Sequence, residues 1–270
     1  MNRDRKAEAQ LHTILGDCRL FTRAECYYEL SSTNDYCREL AEQGEEEGVV
    51  VLSESQTAGR GRLGRHFHSP RGDGLYMSIL LRPTEKIGEP GLITACAAVA
   101  VWEAIFAITN VMVDIKWVND LYYHNKKLCG ILTEGQFNSS GWPSYMIVGV
   151  GINLYPPKNG YPPAIQDIAT SLADISTSQS VDRLALCGEF VRRFAQYYTA
   201  LPKRDFLDIY RKTSCILGRE VSFQYQNHLT CGKAVSIDDQ ARLVVQTAEG
   251  TYITLNAGEV TLLRPVLPLS

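Results

Sequence analysis

At 270 residues, with 45% apolar and 21% charged side chains, the chain has the composition of an ordinary globule able to bury roughly 70 to 75% of its unfolded surface. A net charge of −3 and a pI near 6.0 exclude whole-surface attraction to nucleic acid or anionic lipid, so any basic function must be local. Eight cysteines scattered from Cys18 to Cys231, with no C-x-x-C, suit a reducing compartment rather than a disulfide scaffold.

The opening MNRDRKAEAQ lacks the apolar stretch of a signal peptide, and no transit signal is read, so a cytoplasmic protein is expected. Leu11, Ile14 and Leu15 form a weak helical pattern that stops at Gly16. About thirty residues precede the first strong motif, too few for an added DNA-binding domain, so neither DNA binding nor a repressor role is expected. Residues 24–30 read as a short strand, and 31 SSTND 35 as a helix start ending near Gly44. A strand at 48–54 leads into a basic stretch, 59 GRGRLGRHFHSPRGDG 74. In 75–82, Leu75, Met77, Ile79 and Leu81 alternate as on one face of a strand.

The run 91–108 is long and apolar enough to suggest a membrane span, but its Ala-rich character and Glu103 favour a buried helix, and no membrane partner is expected. Strands follow at 111–116, on either side of a turn at Asn125 within 121–135, and at 145–153. Leu184, Cys187, Val191, Phe194, Tyr198 and Leu201 sit at helical spacing, and 205–213 continues that helical region. Beyond Leu217 five short strand-like runs, near 219–225, 229–237, 242–247, 251–255 and 259–264, have the rhythm of a small all-β barrel. The fold class expected is α+β: a mixed-sheet domain with flanking helices over residues 1–216, and a small SH3-like β-barrel over 217–270.

The basic stretch spells G-x-G-x-x-G at Gly59, Gly61 and Gly64. A dinucleotide fingerprint needs a helix directly after the glycines, and Pro70, Gly72 and Gly74 forbid one. No G-K-[ST] completes a phosphate loop. A nucleic-acid patch built on Arg60, Arg62, Arg65 and Arg71 would stand on an acidic chain. His66 and His68 lack a third ligand at useful spacing, so no metal motif is read. What remains is a loop for a small anion, with glycines for close backbone approach and arginines for charge-assisted bonds. Its glycines suggest a segment mobile without ligand and ordered with it.

Three more stretches place polar residues where a plain sheet would not: 116 KWVND 120, 126 KKLCGILTE 134 and 149 GVGIN 153. Lys127 begins a strand with apolar neighbours, so its ammonium must reach solvent or an anion. Gly149 and Gly151 alternate on one strand face, clearing space against backbone.

In order and spacing, SSTN at 31–34, Q-x-x-G-RGRLGR at 56–65, KWVND, KLCGILTE and GVGIN resemble the biotin protein ligases, also called holocarboxylase synthetases, from about residue 25 to 264. The resemblance implies biotin and ATP as substrates, Mg²⁺ on the phosphates, biotinyl-5′-AMP as intermediate and a biotin carboxyl carrier domain as acceptor. A homodimer stays open. It implies biotin contacts from Ser32, Thr33, Asn34, Gln56, Gly59, Arg60, Gly61, Arg62, Lys127, Gly130, Gly149 and Gly151. Arg62, Arg65, Phe67, Asn119, Lys127 and Asn153 would contact ATP or the adenylate. Lys127, Arg62 and Asp120 would be catalytic: two cations at the meeting of carboxylate and α-phosphate, and a carboxylate to orient or deprotonate the acceptor amine.

Val118 and Phe67 depart from the Pro and Trp common in that family. A lipoate protein ligase shares the plan and chemistry and is the nearest rival. A nucleic-acid-binding module and a non-catalytic biotin sensor are readings from other classes.

Overall fold

The computed structural model describes residues 2–18, 21, 23–83, 90–176 and 180–263. Helix α1 (Arg5–Leu15) is capped by Asp4, whose side chain accepts from the Ala7 amide. A parallel pair, β1 (Arg23–Tyr27) and β2 (Val49–Ser53), is joined through α2 (Thr33–Glu42). Then come β3 (Gly74–Leu81), α3 (Pro90–Thr109), β4 (Asp114–Lys116), β5 (Asp120–Tyr123), β6 (Lys126–Phe137) and β7 (Pro143–Asn153). The seven strands form one mixed sheet in the order β1-β2-β3-β7-β6-β5-β4, antiparallel apart from β1–β2.

One sheet face packs on α1, α3 and the later α5 (Arg183–Thr199), with Leu75, Met77, Ile79 and Leu81 of β3 in that core. The other face is partly covered by α2, against which Val51, Leu80 and Ile147 pack. Every residue of β3 is therefore buried, where alternation alone suggests one wet face, because the strand lies mid-sheet under cover on both sides. On this second face α2 reaches β3 and β7 beside β6. There the ladder sets Tyr76 opposite Gly151, Gly151 opposite Gly130, and Gly130 opposite Asp120.

Helix α3 has the length and hydropathy of a membrane span, yet Ala95 through Val101 are fully buried against protein, and α5, α6 (Phe206–Lys212) and β6 cover it. Its Glu103 accepts from Tyr197 of α5 at 2.8 Å and pairs with Arg193 at 3.4 Å. The residues expected to continue α5 form a separate helix, because the chain passes through a 3₁₀ turn at Leu201–Lys203 and a left-handed Arg204 (φ 58°). The strand expected from 111 begins only at Asp114, after a left-handed Asn110 closes α3. The short α4 (Leu172–Ile175), fixed by a capping box between Ser171 and Asp174, has no counterpart in the sequence reading, being too short to show a period.

The C-terminal strands β8 (Glu220–Tyr225), β9 (His228–Ile237), β10 (Leu243–Gln246), β11 (Tyr252–Leu255) and β12 (Val260–Leu262) form an antiparallel sheet in the order β11-β10-β9-β8-β12. Gln226 and Asn227, both at positive φ (49° and 65°), make the tight β8–β9 turn. The sheet is tied to the first unit at several points. Trp117 donates its indole N–H to the Ala241 carbonyl at 2.9 Å, and Arg211 donates to the Ile237 carbonyl at 2.8 Å.

Candidate active site

The start of α2 supplies a dense polar knot. Ser32, Thr33 and Asn34 are 1%, 3% and 4% exposed, so each must find partners inside the protein. Ser32 caps the helix by accepting from the Asp35 amide. Thr33 donates through its amide (2.8 Å) and hydroxyl (3.1 Å) to Gln56 Oε1, and Gln56 donates onward to Ser69 Oγ at 3.0 Å. Ser78 lies within hydrogen-bond distance of both Thr33 Oγ1 (2.7 Å) and Asn34 Oδ1 (2.6 Å). Asn34 crosses the face of β7 so closely that a Cβ on Gly149 would stand 2.1 Å from its Oδ1. Only glycine fits there.

Beyond this knot the paired glycines of β6 and β7 make a floor, and two side chains lie on it. A Cβ on Gly151 would come within 2.6 Å of the Phe67 ring, and one on Gly130 within 3.1 Å of Lys127 Nζ. Phe67 meets Tyr76 edge-on at 6.4 Å.

Lys127 ends a polar chain that runs along the cleft. Arg62 donates to Asn119 Oδ1 at 2.9 Å, Asn119 donates to Asp120 Oδ1 at 2.9 Å, and Asp120 Oδ1 pairs with Lys127 Nζ at 2.8 Å. Asn119 is itself fixed by donating to the Ile131 carbonyl at 2.9 Å. Burial pulls the Arg62 pKa below its ordinary value, opposed by the charge of Asp120. A desolvated guanidinium of this kind is strongly rewarded by an anionic ligand.

The remaining arginines of the basic stretch are bound elsewhere. Arg60 bridges Asp35 (2.5 Å) and Glu134 (2.8 Å). Arg65 forks onto Glu259 beside β12 at 2.9 and 2.6 Å. Arg71 pairs with Glu54 at 2.9 Å and lies over the Tyr28 ring. The stretch is thus fastened to α2, β6, the C-terminal sheet and the end of β2. Only Arg62 projects inward with a neutral partner. Within the stretch Leu63 takes a left-handed conformation (φ 56°) and is 76% exposed.

Two adjoining cavities result. The smaller is lined by Ser32, Thr33, Asn34, Gln56, Arg60, Gly149 and Leu132 over the glycine floor. The larger, about 290 Å³, is lined by Arg65, Asp120 and Asn153 together with Tyr161, Ile165, Ile168, Ala169 and residues 258–260. Gly61, Arg62, Phe67, Asn119 and Lys127 line both and mark their junction. Of the residues expected to contact biotin, the nucleotide or the acceptor amine, Gly59 alone lines neither. A Cβ there would stand 2.5 Å from the Phe67 carbonyl and Ser69 Oγ, so it serves the loop's own packing.

The wall at 161–169 was not foreseen, because residues 154–171 show no period. They are strapped to β6 when Lys127 donates its amide to Ile168 and Thr170 donates to the Lys127 carbonyl, at 2.6 and 3.0 Å. Burial pushes the Tyr161 hydroxyl up to about 12. Glu259 and Val260 enter from far along the chain, which no local pattern announces. The peptide between Trp117 and Val118 is cis. Among the described residues no three His, Cys, Asp or Glu side chains cluster as metal ligands.

Residues 27–153 match the Biotin/lipoate A/B protein ligase family, and residues 216–263 match the Biotin protein ligase C terminal domain. The bifunctional ligase/repressor BirA of Bacillus subtilis is 36% identical over 224 residues, covering 82% of this chain and 68% of that protein. This chain belongs to the biotin protein ligase family. The biotin--[acetyl-CoA-carboxylase] ligase of Mycobacterium tuberculosis is 29% identical, with 87% of each chain covered. Among solved structures, the biotin protein ligase of Aquifex aeolicus in complex with biotin and ATP superposes with a TM-score of 0.76 at 29% identity, covering 90% of this chain and all of that one. The first family's description covers biotin and lipoate ligases alike, whereas that of the C-terminal match names biotin alone.

Proposed function

We propose that this biotin protein ligase joins biotin and ATP into biotinyl-5′-AMP, releasing pyrophosphate, and passes the biotinyl group to a lysine of a biotin carboxyl carrier domain. The observation that carries this reading is the junction of two cavities at Arg62, Asn119 and Lys127. The smaller cavity, with a flat glycine floor and a knot of amide and hydroxyl groups, suits the ureido bicycle of biotin. The larger, with apolar Ile165, Ile168 and Ala169 and basic Arg65, suits a nucleotide.

In the first step the biotin carboxylate oxygen bonds to the α-phosphorus while the bond to pyrophosphate breaks. Two anions must approach, so fixed cations at the junction offset their repulsion and stabilise the charge that builds on the phosphorus oxygens. Lys127 and Arg62 are those cations, and Asn119 holds Arg62 in line. Mg²⁺, expected with ATP, would add positive charge at the phosphates.

In the second step a neutral lysine amine bonds to the acyl carbon, AMP leaves with the bonding pair, and the amine loses a proton. Asp120 and Glu259 are the two carboxylates lining the larger cavity, and Glu259 is engaged by Arg65. Asp120 is therefore assigned to orient or deprotonate the amine once Lys127 turns to the ligand. We assign these steps to residues 1–216 and take 217–270 as the second unit, of which residues 258–260 close one wall of the nucleotide cavity.

Incubation with biotin, ATP, Mg²⁺ and a carrier domain should add one biotin to the acceptor, read by mass. Lys127→Ala should lose about 100-fold or more in adenylate formation. Pyrophosphate exchange driven as well by lipoate as by biotin would overturn the substrate assignment.

A further inference from the structure

Glu134 closes the KLCGILTE motif but lines neither cavity. It lies on the site face of β6, two residues past cavity-lining Leu132, whereas Thr133 points the other way to bond Thr94 of α3. Its two carboxylate oxygens serve different masters. Oε2 accepts from Asn34 Nδ2 at 2.8 Å, and Oε1 accepts from Arg60 Nη2 at 2.8 Å and Arg38 Nη2 at 3.1 Å. Asp35 completes a ring of alternating charge by pairing with both Arg38 (2.8 Å) and Arg60 (2.5 Å).

Asn34 is the residue wedged over Gly149, and Arg60 is the entry of the basic stretch that carries Arg62 and Phe67 into the cleft. One carboxylate thus fixes a wall of the small cavity and the near end of its cover. We propose that Glu134 is a positioning residue that couples seating of Asn34 to docking of the 59–74 segment over the cleft. The bond to Asn34 requires only an acceptor, which glutamine also provides. The bonds to Arg60 and Arg38 require charge to be strong. The two tasks are separable by substitution.

The inference deepens the proposed ligase reading in one readout and is independent of it in another. In the ligand-free protein, trypsin cleavage after Arg62 and Arg65 reports whether the segment is docked. Glu134→Gln should be cut about fivefold faster than wild type, the effect of losing an ion pair of about 1 kcal/mol, and Arg60→Gln, which also loses the pair with Asp35, should be cut at least as fast at the same two bonds. The double variant should be no faster than Arg60→Gln alone, because Glu134 acts on the segment through Arg60. With ligands, Glu134→Gln should keep its KM for biotin within about twofold while releasing preformed adenylate about fivefold faster. Glu134→Ala should in addition raise that KM at least about fivefold by freeing Asn34.

Wild-type cleavage rates in both Glu134→Gln and Arg60→Gln, or equal KM values in Glu134→Ala and Glu134→Gln, would overturn the proposal. Arg60→Gln leaves β6 untouched, and a wild-type cleavage rate in it would overturn the docking link even if Glu134 variants fold poorly. A wild-type chain that makes no adenylate would sink the ligase reading, while the cleavage comparison would still decide this one.

Discussion

Gly149 shows how a single missing atom shapes the site. A methyl there would collide with Asn34 Oδ1 at 2.1 Å, and Asn34 cannot retreat because Ser78 and Glu134 hold its two amide atoms. Gly149→Ala should therefore destabilise the fold by about 1–3 kcal/mol, the usual cost of overpacking. It should also raise the KM for biotin about tenfold or more by tilting the start of α2. Thermal unfolding and pyrophosphate exchange check the two effects; an unchanged KM would show that Asn34 does not shape the biotin cavity. At this scale the sequence was informative about residue types and poor about their partners. The alternation of Gly149 and Gly151 announced a cleared floor, but Gly130 facing Gly151 across the ladder is a register fact. Arg60, Arg62 and Arg65 read as ligand contacts; no local pattern tells that Arg60 and Arg65, like Arg71, each also meet an acid 17 to 194 residues away in the chain.

Elements with a strong period were legible: α3, α5, β3 and β7 lie within a few residues of where hydrophobic spacing puts them. Elements set by single residues were not, as with the break between α5 and α6 at left-handed Arg204. Strand β1 adds a feature that periodicity hides. Its Glu25 is 1% exposed yet charged, accepting from Tyr27 at 2.6 Å and Tyr36 at 3.0 Å and paired with Arg23. Burial alone would raise its pKa, but these bonds prevail and hold it below the ordinary 4.5. A carboxyl depressed on folding stabilises fully above its unfolded value, and that contribution is lost as pH falls through the folded one. Wild type should thus lose thermal stability as pH drops below about 4.5, and Glu25→Gln, though less stable at neutral pH, should fall less steeply. Parallel melting curves from pH 6 to pH 3 would refute the assignment.

Across the whole molecule, the larger cavity is completed only where two parts of the chain meet. Trp117, in a motif of the first unit, is anchored on Ala241 of the second, and residues 258–260 wall the larger cavity. The forked pair between Arg65 and Glu259 ties the cover segment to that wall. Both side chains are largely exposed, so the pair contributes little to stability, and its worth lies in where it puts the cover. Reversing either charge sets like charges together, and we expect Arg65→Glu and Glu259→Arg each to raise the KM for ATP about three- to tenfold. The double reversal rebuilds the pair and should return KM to within about twofold of wild type. If the double variant is as impaired as Arg65→Glu alone, the guanidinium works on the phosphates directly. Recovery would mean that the C-terminal sheet holds the cover in register with the nucleotide.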